Sequence, residues 1–289
     1  MLDPTMGIPR DILFTRHEGR RGFEWLALSY RMFRAASIRW LSMVMLYWIV
    51  LIICRAIPFI GGLAPFVVKP LFSVGFLAGA WRQERGEAPK AADLFQGFRA
   101  NLWALLPLGI FLVVGSGLAV AATALVDHGR LLDLLFDPPP ADLDSDAATK
   151  RVSDVLSDPE VRLGMVFAAL CTIPTILAMW WAPALIVFQD AGLVTALRVS
   201  FKAALANWRP ILRYCLSVFF FLSVFPSLVI LVVSVIVPES LFPYVATAIF
   251  VPYGLCLIAI LQISDYISYR DVFHAGETLA PIERRRSVA

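Results

Sequence analysis

The sequence contains few charged residues. Lys, Arg, Asp and Glu make up 16% of its 289 residues, whereas 59% are hydrophobic. A soluble domain carries about a quarter charged residues because its surface must be hydrated. The deficit therefore excludes a soluble globular domain and indicates that most of the surface contacts lipid.

Cysteine and histidine are also scarce, and this limits the chemistry. The four cysteines lie in apolar stretches without Cys-x-x-Cys spacing, so neither a disulfide framework nor a zinc site is predicted. The three histidines are scattered, and no pair has the spacing of metal ligands. No Gly-x-Ser-x-Gly motif marks a nucleophile. We therefore expect no catalytic residue, no metal, no cofactor and no nucleic-acid partner, and a membrane enzyme is the least favoured class.

Long hydrophobic runs, by contrast, are abundant. A helix needs about 20 mostly apolar residues, with a range of about 17–25, to cross the hydrocarbon core. Six windows predict an all-α polytopic membrane helix bundle: 38–54, 63–81, 102–126, 163–188, 211–237 and 242–264. Prolines and glycines between the first two windows leave open whether this region is a broken helix. The first 37 residues contain no short apolar run with a cleavage site, so we expect the first window to be retained as a span.

The charged loops predict the orientation. Basic residues concentrate in the N-terminal arm, in loops 82–101 and 189–210, and in the tail, whereas loop 127–162 carries nine acidic residues. The positive-inside rule then places both termini in the cytoplasm and the acidic loop in the periplasm. The predicted organisation is a cytoplasmic arm with an amphipathic helix (1–37), a six-span domain (38–265) and a cytoplasmic tail (266–289). A short helix is predicted at 147–156, inside the otherwise solvated acidic loop.

A short amphipathic segment with aromatic and basic residues precedes each pair of spans. This pattern suggests three repeated units, each an interfacial helix followed by a transmembrane hairpin. In the third segment, five apolar residues share one helical face: Val194, Leu197, Phe201, Leu205 and Trp208. Cations on the other face are typical of a helix that lies in the membrane interface; the alternative is a cytoplasmic cap packed on the bundle. We predict that anionic headgroups of membrane phospholipids at the cytoplasmic face contact Arg99, Arg198, Lys202 and Arg209.

Two cations flank the region between the first two spans. A charge inside the membrane is a functional hypothesis by default, so Arg55 and Lys69 are candidates for binding a solute. However, both lie near the predicted outer interface, where long side chains reach water, and this favours a structural role. Asp265, at the inner end of the last span near Arg270, is predicted to be an interfacial anchor rather than a proton relay.

Several segments resemble a family of uncharacterised Gram-negative bacterial inner-membrane proteins of about six spans. The segments are RRGFEWL (20–26), SVGF (73–76), LFQGFR (94–99), NWR (207–209) and YISYRDVF (266–273). More loosely, the chain is similar to the membrane domains attached to some glycerophosphodiester phosphodiesterases. The resemblance covers nearly the whole chain except the acidic loop. It implies a six-span inner-membrane fold, and it implies no activity, cofactor or site residue.

The sequence favours a non-enzymatic inner-membrane protein that acts through lipid or protein contacts, as a scaffold, assembly factor or membrane-organising subunit. Its protein partner would be another membrane protein or a second copy of the chain. The alternative is a transporter or channel for a small or lipidic solute. That alternative is motivated by Lys69 and by the proline-interrupted spans, because broken helices recur at transporter binding sites.

Overall fold

The computed structural model describes residues 12–57, 61–100, 102–137 and 145–274, and within these ranges every regular element is helical. The elements in chain order are α1 (Arg21–Ala35), α2 (Ser37–Arg55), α3 (Ala64–Glu84), a 3-10 turn (Ala91–Phe95), α4 (Gln96–Ala100), α5 (Leu102–Ala121), α6 (Ala124–Asp127), α7 (Arg130–Phe136), α8 (Ser145–Ser157), α9 (Pro159–Met179), α10 (Ala182–Gln189), α11 (Leu193–Ala206), α12 (Trp208–Phe219), a π-helical segment (Phe220–Val224), α13 (Phe225–Ile236) and α14 (Phe242–Phe273).

Six helical segments are long and apolar enough to cross a membrane: Ser37–Arg55, Ala64–Glu84, Leu102–Asp127, Pro159–Gln189, Trp208–Ile236 and Phe242–Phe273. The predicted all-α bundle with six spans is therefore confirmed. The helix predicted inside the acidic loop is also present, as α8. The last helix continues to Phe273, well past the predicted boundary at 265, and its final turns are packed into the core, where Tyr266 and Tyr269 are buried.

The second span is the centre of the bundle, and the fifth is its periphery. In the apolar window of Ala64–Glu84, 56% of the residues are buried, against none in the window of Trp208–Ile236. The central helix α3 contacts α2, α5, α10, α14 and the 3-10 turn. The apolar window of the fifth span must therefore present its side chains to lipid or to another protein, whereas the start of that span is packed through Pro210, Ile211 and Tyr214.

Glycines allow helices to approach one another at backbone distance. A Cβ atom at Gly75 of α3 would lie 2.2 Å from the carbonyl oxygen of Leu94 in the 3-10 turn. A Cβ atom at Gly22 of α1 would lie 2.0 Å from the carbonyl oxygen of Pro210 in α12. No larger side chain fits at either position, so these residues set the two helix contacts.

The fourth span is broken between α9 and α10. The backbone N–H of Trp181 donates to the Ser200 hydroxyl oxygen at 3.0 Å, and that hydroxyl donates to the carbonyl oxygen of Leu177, also at 3.0 Å. A buried serine on α11 thus satisfies backbone groups on both sides of the break, which is how a non-helical turn is tolerated at membrane depth. The break places Trp180 and Pro183 beside the centre of the bundle.

Candidate functional site

A cavity of about 230 Å³ lies between α3, α5, α9–α10, α12 and α14, which belong to five of the six spans. Its apolar walls come from α5, α9 and α10. Its polar lining consists of Lys69, Ser73, Trp180, Tyr214 and Asp265. One cation, one carboxylate and three uncharged donors therefore share a small space inside the helix bundle.

The two charges line this cavity without forming a direct ion pair. Lys69 projects from α3 and Asp265 from α14, and the two side chains attract each other electrostatically. Within the described residues, neither side chain forms a hydrogen bond or an ion pair. Lys69 is exposed, whereas Asp265 is half-buried. A charge withdrawn from water costs several kcal/mol unless it is paired or solvated, and this cost applies to Asp265. The space between Lys69 and Asp265 therefore favours water or a polar ligand over an apolar occupant.

Trp180 adds an unused donor to the same cavity. Its indole nitrogen is buried and has no hydrogen-bond partner among the described residues. The Trp180 ring packs edge-on against Tyr214 with ring centroids 5.7 Å apart, and the Tyr214 hydroxyl is 2.6 Å from the Ser264 hydroxyl. A buried donor left unsatisfied costs about 1–3 kcal/mol, and a polar occupant of the cavity would recover that cost.

The structure separates the two cations that the sequence analysis paired. Arg55 is exposed at the end of α2 and does not line the cavity, whereas Lys69 does. Asp265 lines the cavity, and its role as an interfacial anchor stays a prediction. It is not paired with Arg270. Arg270 forms an ion pair with Glu84 of α3 instead. Sequence reasoning missed the meeting of Lys69 and Asp265, because the two residues lie on distant helices and share no motif.

A second cluster joins α1 to the end of α14. The Arg21 guanidinium donates two hydrogen bonds to the Asp271 carboxylate, at 2.6 and 2.8 Å, and the Trp25 indole donates a third at 2.9 Å. The hydrogen bonds from Arg21 to Asp271 raise the pKa of Arg21 above its ordinary value. The hydrogen bond from Arg21 likewise lowers the pKa of Glu24. All these side chains are already engaged with one another, so the cluster is a structural clamp.

Asn207, which directly follows α11, holds the segment before α1 beside this clamp. Its side-chain oxygen accepts from the backbone N–H of His17 at 2.9 Å, and its amide nitrogen donates to the carbonyl oxygen of Thr15 at 3.0 Å. Asn207, Gly22, Gly75 and Asp271 all belong to segments that carried the family resemblance. Through these four residues the segments position helices, and Ser73 of the 73–76 segment also lines the cavity.

The four cations predicted to contact lipid headgroups are all exposed: Arg99, Arg198, Lys202 and Arg209. Arg99 lies on α4, Arg198 and Lys202 lie on α11, and Arg209 is the second residue of α12. Headgroup contact by these four residues stays a prediction. Their exposure is what such a contact requires.

Helix α11 packs on the bundle through one face and leaves part of its apolar face uncovered. It docks through small buried side chains, including Ala196, Ser200 and Ala203. Val194 and Leu205 are 65% and 49% exposed, so part of the predicted apolar stripe contacts no protein. One face of α11 is thus packed on the bundle, and the placement of its uncovered face in the membrane interface stays a prediction.

The fold defines an all-α polytopic membrane protein with six candidate spans, and the site is a charged cavity among them. Within the described residues, no group of three or more His, Cys, Asp or Glu side chains could hold a metal ion. No family model matches the chain, and no solved structure matches it.

One curated protein is similar over most of its length. The chain is 26% identical to a protein of Burkholderia thailandensis that is named a probable inner membrane protein. The match spans 266 residues, which is 91% of this chain and 94% of that protein. This finding supports the resemblance to inner-membrane proteins, whereas the looser similarity to phosphodiesterase-associated domains receives no support.

Proposed function

We propose that this chain is a multi-pass protein of the bacterial inner membrane that binds and moves a small zwitterionic solute through the Lys69–Asp265 cavity, without enzymatic chemistry. The observation that carries the proposal is the presence of two opposite, unpaired charges in one cavity between the spans. Ionisable residues within membrane spans are rare and mark solute and ion pathways, so they are functional hypotheses by default. The name of the Burkholderia protein supports the membrane assignment.

The size and lining of the cavity restrict the solute. Pockets for drug-sized ligands measure about 300–1,000 Å³, and this cavity measures about 230 Å³. The Lys69 ammonium fits an anionic group, the Asp265 carboxylate fits a cationic group, and the Trp180 indole offers a further donor. A molecule of amino-acid size with both charges matches that arrangement.

The helices around the cavity are interrupted, as helices at the binding sites of transporters often are. Pro70 lies inside α3 beside Lys69, and the fourth span breaks at Trp180 and Trp181. Discontinuous helices near a site supply free backbone groups and points of bending for alternating access. This feature favours transport over simple solute storage.

Access to the cavity is the first test. In a variant whose four native cysteines are replaced by serine, Lys69→Cys and Asp265→Cys should react with a membrane-impermeant methanethiosulfonate reagent. Ile49→Cys is the control, because Ile49 is 52% exposed on α2 and lines no part of the cavity. A lipid-facing thiol should stay unreactive. If neither cavity position reacts from either side of the membrane, the transport proposal is wrong.

Uptake into proteoliposomes is the second test. We expect uptake of ¹⁴C-labelled amino acids, reduced at least tenfold in Lys69→Gln and in Asp265→Asn. Arg55→Gln removes the other predicted cation outside the cavity and should transport normally. Equal uptake in Lys69→Gln and Arg55→Gln would return Lys69 to a structural role.

A scaffold or membrane-organising role is the second candidate, and a different observation favours it. The apolar stripe of α11 is partly uncovered while Arg198 and Lys202 are exposed on the same helix. Each cation near an anionic surface contributes about 1 kcal/mol to membrane association. Arg198→Glu with Lys202→Glu should therefore weaken association of a 193–208 peptide with anionic vesicles. Equal binding to neutral and anionic vesicles by the unmodified peptide would remove the electrostatic basis of this role.

A further inference from the structure

Two surface depressions, one beside the segment before α1 and one beside α1 itself, suggest a lipid site that is separate from the Lys69–Asp265 cavity. The first, which we call the basic pocket, has a volume of about 720 Å³ and lies between the segment before α1 and the start of α12. Three of its lining residues are exposed arginines, Arg16, Arg209 and Arg213, and one is an acid, Glu18. None of the three arginines forms an ion pair within the described residues.

The arginines converge because a glycine leaves room for one of them. A Cβ atom at Gly19 would lie 3.2 Å from Nε of Arg213 and 3.6 Å from the Cβ of Arg209. Arg209 and Arg213 are four residues apart on α12, so they share one helical face. Guanidinium groups bind phosphate oxygens in a bidentate manner. The basic pocket is therefore complementary to a phosphate group.

The second depression, which we call the apolar groove, has a volume of about 490 Å³. It lies between α1, the π-helical segment and α14, and its walls include Phe23, Ala27, Phe221 and Leu257. The Tyr253 hydroxyl, which also lines the groove, donates to the carbonyl oxygen of Phe221 at 2.5 Å and therefore needs no hydrogen-bond partner from a ligand. π-helical segments occur frequently at functional sites.

Helix α1 and the turn before it connect the two depressions. Gly19 contributes to the basic pocket, and Phe23 and Ala27, four and eight positions later, contribute to the groove. Arg213 and Phe221 are eight residues apart on the adjoining helix, or about 12 Å at 1.5 Å per residue. Each headgroup layer of a bilayer is about 5–8 Å thick. The groove thus lies at the depth of acyl chains when a phosphate occupies the basic pocket.

We propose that an anionic phospholipid binds here, with its phosphate among Arg16, Arg209 and Arg213 and an acyl chain in the apolar groove. The combination decides the occupant, because a free phosphate would use only the pocket and a neutral lipid would use only the groove. The site stands whether or not the central cavity carries a solute. Arg209 was expected to contact headgroups from its charge alone, whereas Arg16, Arg213 and the groove come from the tertiary structure.

Native mass spectrometry of the full-length, delipidated protein tests the site. The probes are 16:0–18:1 phosphatidylglycerol and 16:0–18:1 diacylglycerol, which share the same acyl chains and of which only the first carries a phosphate. The unmodified protein should bind phosphatidylglycerol at least tenfold more tightly. One juxtamembrane cation contributes roughly a fivefold change in affinity. Arg209→Gln with Arg213→Gln should therefore lower phosphatidylglycerol affinity roughly 25-fold and leave diacylglycerol affinity unchanged.

Three controls keep the result specific. Arg198→Gln with Lys202→Gln removes the same charge from α11, outside the pocket; an equal loss of phosphatidylglycerol affinity would mean diffuse attraction and would overturn the proposal. Ala27→Trp fills the groove and should lower the affinity for both lipids at least fivefold, whereas Leu28→Trp should not. Equal lipid affinities of these two variants would refute the acyl-chain contact.

Arg16→Gln changes a residue outside the helices, so it tests the pocket if the α12 double variant unfolds. We expect a fivefold loss of phosphatidylglycerol affinity. Displacement of phosphatidylglycerol by millimolar glycerol phosphate would instead assign the pocket to a free phosphate.

Discussion

The backbone contact at Gly75 allows a quantitative test of the packing. Gly75→Ala would place a Cβ atom 2.2 Å from the carbonyl oxygen of Leu94 and 2.5 Å from its carbonyl carbon and Cα. Ordinary van der Waals contact begins at 3.4 Å, so the mismatch exceeds 1 Å and involves backbone rather than a movable side chain. Leu94 itself is fully buried. The 3-10 turn must therefore move away from α3.

Two terms of opposite sign decide the effect of Gly75→Ala. Alanine in a helix interior is intrinsically better than glycine by about 0.5–1 kcal/mol. Overpacking at a tight contact costs about 1–3 kcal/mol. We expect the second term to exceed the first, so that Gly75→Ala lowers the free energy of unfolding by about 1–2 kcal/mol. Displacement of the turn would also disturb Asp93, which accepts hydrogen bonds from Arg82 at 2.9 and 3.0 Å.

Gly117→Ala is the matched control. Gly117 also lies inside a spanning helix, α5, and nothing lies within 4 Å of a Cβ atom built there. The helix propensity term is then the same, and the difference between the two variants isolates the cost of the clash. Equilibrium unfolding of both variants in mixed micelles, followed by circular dichroism, measures this difference. If Gly75→Ala is as stable as Gly117→Ala, the close contact between α3 and the 3-10 turn does not exist.

Two further predictions concern the clamp and the orientation. Asp271→Asn removes the charged acceptor of Arg21 and Trp25. Because hydrogen bonds to charged groups are worth about 1.5–3 kcal/mol, this variant should lose about that much free energy of unfolding, and trypsin should cleave the region around Arg21. Asp146→Asn, at an exposed position of α8, should show neither effect, and a protease-resistant α1 in Asp271→Asn would contradict the clamp. Reporter fusions after Gln83, Gln189 and Ala280 should read cytoplasmic and a fusion near Asp144 periplasmic, since the basic loops stay inside; a cytoplasmic signal at Asp144 would overturn the orientation.

The spans and the helix in the acidic loop were predictable because their signals are local. Hydrophobic length alone identifies a segment that must cross the bilayer, and hydrophobic periodicity identifies an amphipathic helix. The end of the last span was not predictable in the same way. Tyr266, Tyr269 and Ser268 are polar enough to suggest a boundary. They are buried because α1 and α3 pack against α14 and because Phe188 of α10 packs on Tyr266 and Tyr269.

The class of this protein follows from local signals, since a chain with so few charges and six long apolar runs has no stable arrangement in water. The same local signals place basic residues near the ends of the spans. The meeting of Lys69 with Asp265 in one cavity, and of Arg16 with Arg209 and Arg213, arises only when the helices pack. These groupings depend on which helices cross and at what height. Helix crossings are set by long-range contacts such as those at Gly22 and Gly75, and no spacing within one segment encodes them.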